Sequence, residues 1–230
     1  MVGQCAVLLL GLAVVVGCGP KRVKRPYNLA RYQQNVEWPR PEVMAAAESA
    51  WRCGRSTGDF QSPILTIIDY SLPSTDRRMW IIDMIQRRVL SQELVAHGEA
   101  SGDLYAVAFS NRMGSNQTSL GLFRTEGTYY GANGYSLRLD GLDTGFNDNA
   151  RERAIVVHGA PYVSDAFARA QGRLGRSWGC PALGDQVARE IIDRIKGGNL
   201  IFSYYPDQAW LNGSRLLGDC AAASTSTAAR

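Results

Sequence analysis

His158 closes an apolar run and is followed by glycine. Cys180 comes 22 residues later, in the stretch Gly172-Arg173-Leu174-Gly175-Arg176-Ser177-Trp178-Gly179-Cys180-Pro181. A thiol is a strong nucleophile only as thiolate, and near neutral pH that needs a base or a positive neighbour. His158 is one of two histidines in the chain that could serve. Glycine before the cysteine frees the backbone to aim an N–H at a reacting carbonyl oxygen, as an oxyanion pocket requires. Together these residue types fit covalent acyl transfer. Spacing alone leaves bland readings open, with a structurally satisfied histidine and a cysteine that is half of a disulfide.

Both residues must be presented by folded elements. Residues 41–53 carry Val43, Ala46, Ala47, Ala50 and Trp51 on one helical face, with proline at the start and Gly54 as a stop. Short β-like runs follow at 64–69, 79–84, 89–96, 104–109, 119–124, 136–139 and 154–157, separated by turn residues such as Gly127, Gly131 and Asn133-Gly134. The periodicity predicts helices over 164–171 and 185–196 and a closing strand over 200–204. Strands with inserted helices in this order make an α+β, mainly β, fold.

Residues 6–16 are an apolar run of eleven residues, about 16 Å as a helix and too short for a bilayer. They read as the core of an export signal over 1–17, which is not part of the fold. Val15-Val16-Gly17-Cys18 resembles the lipobox of bacterial lipoproteins, which implies lipidation of Cys18 and an exported, lipid-anchored chain. That would place it on the periplasmic face, at the outer membrane in a diderm. With Cys5 removed and Cys18 acylated, Cys53, Cys180 and Cys220 remain. Cys53 with Cys220 is the expected pair, leaving Cys180 free.

The formal charge is +4, but its distribution argues against a nucleic-acid partner. Residues 21–40 hold six basic side chains against Glu37, whereas residues 41–230 hold 19 bases and 20 acids. The basic stretch reads as a linker over 18–41 near anionic headgroups, a membrane contact through the lipid anchor. Residues 42–220 are then the catalytic domain and 221–230 an Ala/Ser/Thr-rich disordered tail. Cysteine and histidine spacing argues against a metal site, and no phosphate-binding glycine loop is present, so no cofactor is expected.

His158-Gly159 followed by Ser177-Trp178-Gly179-Cys180-Pro181-Ala182 resembles the signature of murein L,D-transpeptidase catalytic domains. The likeness extends over about residues 60–205, through Ala96-His97-Gly98, Ser119-Leu120-Gly121 and Gly134-Tyr135-Ser136-Leu137-Arg138-Leu139-Asp140-Gly141. The resemblance implies a mixed β-sandwich with inserted helices that acts on peptidoglycan stem peptides. Cys180 would attack the carbonyl between diaminopimelate and D-Ala, and the acyl group would pass to an amine, giving a 3→3 cross-link. His158 would be the base, held by a backbone carbonyl, with the Gly179 and Cys180 N–H groups around the oxyanion.

Trp178 stands where the wider family has histidine, and Pro181-Ala182 where it has an arginine-bearing pair. The carboxylate contact then falls to Arg176, with Arg173 second. Trp178 is a wall for the donor or, more simply, core. His97 would line the cleft or be held structurally, and Tyr162 would donate to the leaving group. Hydrolysis by an L,D-carboxypeptidase and a non-catalytic wall-binding lipoprotein are the alternatives. Carbapenems, which acylate many members of the family, are the expected inhibitors.

Overall fold

The computed structural model describes residues 36–218 and 220. The export signal over 1–17, Cys18, most of the basic linker and the tail over 221–230 lie outside the described residues. The last linker residues are docked rather than loose. Trp80 donates its indole N–H to the Glu37 carbonyl at 2.7 Å, and Arg40 pairs with the buried Asp69 carboxylate at 2.8 Å. The folded body therefore begins before residue 42.

Nine strands form one hydrogen-bonded sheet: β1 (Ile64–Asp69), β2 (Met79–Asp83), β3 (Arg88–Glu93), β4 (Val95–Ala96), β5 (Gly121–Gly131), β6 (Gly134–Gly141), β7 (Val156–Ala160), β8 (Ala182–Gly184) and β9 (Leu200–Tyr204). Their order is β3-β2-β1-β9-β5-β6-β7-β8-β4. Pairs β1–β9 and β7–β8 are parallel, and the others are antiparallel. The two outermost strands, β3 and β4, are joined by Leu94 alone. The sheet must therefore curl until its edges meet, and the expected sandwich takes this form. Side chains from all nine strands, including Ile68, Ile81, Leu90, Val95, Phe123, Leu137, Val157, Leu183 and Ile201, share the core that the curl encloses.

Helices cover what remains apolar. Proline opens α1 (Pro41–Thr57), which runs past Gly54 to a left-handed Gly58, and buries Val43, Ala47, Ala50 and Trp51 against β1, β2 and β9. Ser164 caps α2 (Asp165–Gln171) through the Phe167 N–H. In α3 (Asp185–Ile195), Val187, Ile191, Ile192 and Ile195 face the enclosed core. A short α4 (Gln208–Gly213), capped by Asp207, buries Trp210. Cys53 and Cys220 form a disulfide with a Cα–Cα distance of 5.5 Å, and Cys180 is free, as the cysteine pattern predicts.

The structure corrects several expected elements. The run 89–96 breaks into β3 and β4. Residues 104–109 form no strand, because their backbone bonds serve turns: Val107 and Ala108 N–H both reach the Ser101 carbonyl. Gly127 is no turn; it lies inside β5 at a bulge between Thr125 and Thr128. The short β8 and α4 were not expected.

Candidate active site

Parallel pairing of β7 with β8 brings the two chemical residues together. His158 stands opposite Ala182, and Cys180 lies two residues earlier in the chain, with its sulfur on the Val156 N–H. Directly paired residues share a sheet face, as do residues two apart on one strand. Ser136 and Arg138 of β6 pair with His158 and Val156, so Ser136, Arg138, Val156 and His158 belong to one face.

His158 Nδ1 lies 2.8 Å from the Gly159 carbonyl. A carbonyl only accepts, so Nδ1 carries the proton and Nε2 keeps its lone pair. Burial lowers the imidazole below its ordinary value, while the Gly159 carbonyl and Asp185 pull it back up. It is therefore a neutral base. The Cys180 sulfur is buried, 3.5 Å from the Val156 nitrogen and 3.7 Å from the Ala154 carbonyl. Burial raises the thiol, while the Val156 N–H and the Arg153 guanidinium oppose that rise. The thiol bonds to the backbone here and not to the imidazole.

Ser177 builds the turn that carries the cysteine. Its hydroxyl donates to the Cys180 carbonyl at 2.6 Å and accepts the Gly179 N–H at 3.1 Å. Its own N–H is bound to the His97 carbonyl, and its carbonyl takes the Glu99 N–H. The Gly179 N–H is thus committed to Ser177. Among the described residues the Cys180 N–H has no partner, which leaves it the free donor for an oxyanion. Gly179 has φ +117°, and a Cβ there would sit 2.7 Å from the Gln117 carbonyl. Only glycine fits.

Arg153 was not singled out from sequence, although it stands three residues before β7. Its guanidinium donates to the Ser110 and Gln117 carbonyls and to the Ser115 and Ser119 hydroxyls. No carboxylate among the described residues pairs with it. It is a half-buried positive charge held beneath the Gly179–Cys180 turn, and it acts electrostatically on the thiol.

A family model for the L,D-transpeptidase catalytic domain matches residues 37–204, most of the chain. The chain belongs to the L,D-transpeptidase catalytic-domain family. No curated protein matches it. Among solved structures it is similar to an L,D-transpeptidase from Mycobacterium smegmatis, at 15% identity over 63% of this chain and 59% of that one, with a TM-score of 0.39. It is also similar to L,D-transpeptidase 1 of Mycobacterium tuberculosis, at 13% identity over 62% of each chain and a TM-score of 0.36. A third is an L,D-transpeptidase from Stackebrandtia nassauensis, at 14% identity, 70% of this chain and 66% of that one, TM-score 0.37. These likenesses are distant, and membership rests on the family match. The chain spans about three fifths of the length of the first solved structures it matches.

Around Cys180 and His158 of this L,D-transpeptidase domain, the expected ligand-binding residues divide. Arg176 is tied to Asp103 at 2.7 Å and to the Gly102 carbonyl, and Arg173 reaches the same carboxylate at 3.6 Å. Neither is a free fork for a substrate carboxylate. Trp178 is 77% exposed, which overturns its reading as core and leaves an apolar plate two residues from Cys180. Tyr162 packs on Gly175, and burial, with a contribution from Cys180, pushes its hydroxyl up to about 12. It stays protonated and able to donate.

His97 does not line the cleft. It is 1% exposed, with Nδ1 2.8 Å from the buried Arg78 guanidinium and Nε2 3.3 Å from the Gly102 carbonyl. Arg78 only donates, so Nδ1 accepts and both ring nitrogens are occupied. Its part is structural, because its carbonyl holds Ser177.

Proposed function

We propose that the protein is a peptidoglycan L,D-transpeptidase that forms 3→3 cross-links through a Cys180 acyl-enzyme. The observation that carries the reading is the neutral His158, with Nδ1 fixed on Gly159 and Nε2 left over, on the same strand as the Val156 N–H that holds the Cys180 sulfur. Family membership supplies the reaction class.

In the first half-reaction Nε2 takes the thiol proton and the sulfur attacks the carbonyl carbon of a stem tetrapeptide. This step requires the thiol to leave its backbone contacts for the imidazole; such hydrogen bonds often tighten only with substrate bound. The Cys180 N–H receives the oxyanion. The imidazolium protonates the departing amine, the C–N bond breaks, and D-Ala leaves. In the second half His158 takes a proton from an acceptor amine, a new C–N bond forms and the C–S bond breaks. The thiolate then recovers its proton. Arg153 stabilises the thiolate in both halves. An envelope location with an acylated Cys18 belongs to the same proposal, and loss of palmitate labelling in Cys18→Ala tests it.

The deciding experiment incubates the full chain with tetrapeptide-rich sacculi and analyses the muropeptides. New 3→3 dimers with D-Ala release, absent from Cys180→Ala, are expected. Tripeptides without dimers would mean a carboxypeptidase. No change, and no carbapenem adduct at Cys180, would mean a non-catalytic wall-binding protein.

A further inference from the structure

One motif within the family likeness, the β6 run from Gly134 to Gly141, has no part in the dyad chemistry, yet it places Arg138 directly opposite Val156. Val156 is the residue whose N–H holds the Cys180 sulfur. Arg138 and Val156 share the catalytic face, one strand spacing apart, which is about 4.8 Å. A cavity of about 170 Å³ opens there, lined by Tyr129, Arg138, Arg151 and residues 154–156. Ala154, whose carbonyl lies 3.7 Å from the sulfur, is one of these lining residues.

The cavity contains two guanidinium groups and no carboxylate. Arg151 is neutralised from outside by Asp140 at 2.7 Å. Arg138 forms no ion pair among the described residues; its guanidinium lies over the Tyr129 ring at 4.0 Å. Stacking fixes the plane of the fork while its N–H edge remains available, the arrangement that suits a bidentate carboxylate. Arg173 and Arg176, by contrast, share Asp103.

We propose that Arg138 binds the C-terminal carboxylate of the donor stem peptide. The subsite rests on the transpeptidase reading for the identity of its ligand. The leaving residue's carboxylate is a few bonds from the carbonyl under attack, so an anion site one strand from the sulfur orients the scissile bond across Cys180. The same contact favours donors that end in a free acid over those that end in an amide. Tyr129 keeps the fork flat, and Arg151 adds positive potential without committing its own charge.

The test uses a tetrapeptide donor with a free C-terminus and the same donor amidated, in binding and in turnover. Binding is measured on the full chain carrying Cys180→Ala, with and without Arg138→Gln. Arg138→Gln should weaken the acid about ten- to a hundredfold, as expected for a charge-assisted contact, and leave the amide unchanged. Arg138→Lys should recover part of the loss. In turnover the same substitution should erase the wild-type preference for the acid.

Equal loss for both donors, or equal wild-type affinity for acid and amide, overturns the subsite whatever the turnover shows. If acid-selective binding depends on Arg138 but the wild type releases no D-Ala, the subsite stands and the transpeptidase reading falls. Should a diaminopimelate carboxylate be the true ligand, amidating the C-terminus will not matter while amidating that side-chain carboxylate will. That result also overturns the assignment.

Discussion

The two histidines occur in nearly the same local sequence, an apolar strand residue, histidine, then glycine, and the fold gives them opposite duties. At the end of β4, His97 has a donor on one ring nitrogen and an acceptor on the other, and burial with Arg78 holds it down to about 4. On β7, His158 has one nitrogen committed to the chain and the other available. A histidine is therefore read by the number of ring atoms its surroundings leave over, and its neighbours in sequence say little. His97 braces the turn that carries Cys180 through its carbonyl, so the structural histidine supports the cysteine and not its fellow histidine.

The contrast predicts different failures. The largest effect should come from His158→Ala, which should lower turnover by about 10² to 10⁴, the usual worth of a general base, with the unfolding midpoint nearly unchanged. An equal loss of stability would place His158 with His97. Acid should act through His97 next. Its folded value of about 4 lies below the ordinary imidazole value of 6.5, so stability is fully present above pH 6.5 and is lost as pH falls towards 4. The loss is of order 3 kcal/mol, read by denaturant unfolding across that range. His97→Leu should flatten this dependence.

At neutral pH His97→Leu should cost about 1–3 kcal/mol, because it strands buried donors of Arg78. Stability unchanged with activity abolished would reverse the assignment. Smaller still, Arg153→Gln should move the alkylation profile of Cys180 to higher pH, with Arg153→Lys intermediate. Superimposable profiles would remove Arg153 from the site. The finest probe is Asp185→Asn, which should lower the His158 titration seen by NMR, since Asp185 raises it, and leave His97 where it was.

Much of this site was legible because its residues are chemically rare. A lone cysteine beside glycine and a histidine on an apolar strand are visible without coordinates. Counting left three cysteines, and their positions, one after a helix and one before the tail, pointed to the Cys53–Cys220 pair. Arg153 was not legible, since its meaning lies in what it lacks, a carboxylate, and that is a property of the folded neighbourhood. Trp178 was read as core because large aromatics usually bury, and nothing in its neighbours shows that the Ser177 turn faces outward. Arg176 and Arg173 looked free until Asp103, some seventy residues upstream, was placed beside them. In the fold, strands with alternating or branched residues were found, while β8, three residues of Ala-Leu-Gly, carries no pattern of its own and exists through its neighbours.

The parallel pairing of β7 and β8 also bears on how the molecule assembles. A single connection through α2 joins those strands, so His158 and the Cys180 turn meet across one local connection. The pairing of β1 with β9 is different, because it brings Leu65 beside Leu200 from nearly opposite ends of the domain. Remote pairings of that kind set the pace of folding. Among the parallel pairs, β7–β8 thus closes the shorter loop, and β1–β9 waits on the more remote contact. The Cys53–Cys220 disulfide, spanning 167 residues, ties α1 to the segment after α4 beside that pairing, bracing a closure that β7 and β8 themselves do not need.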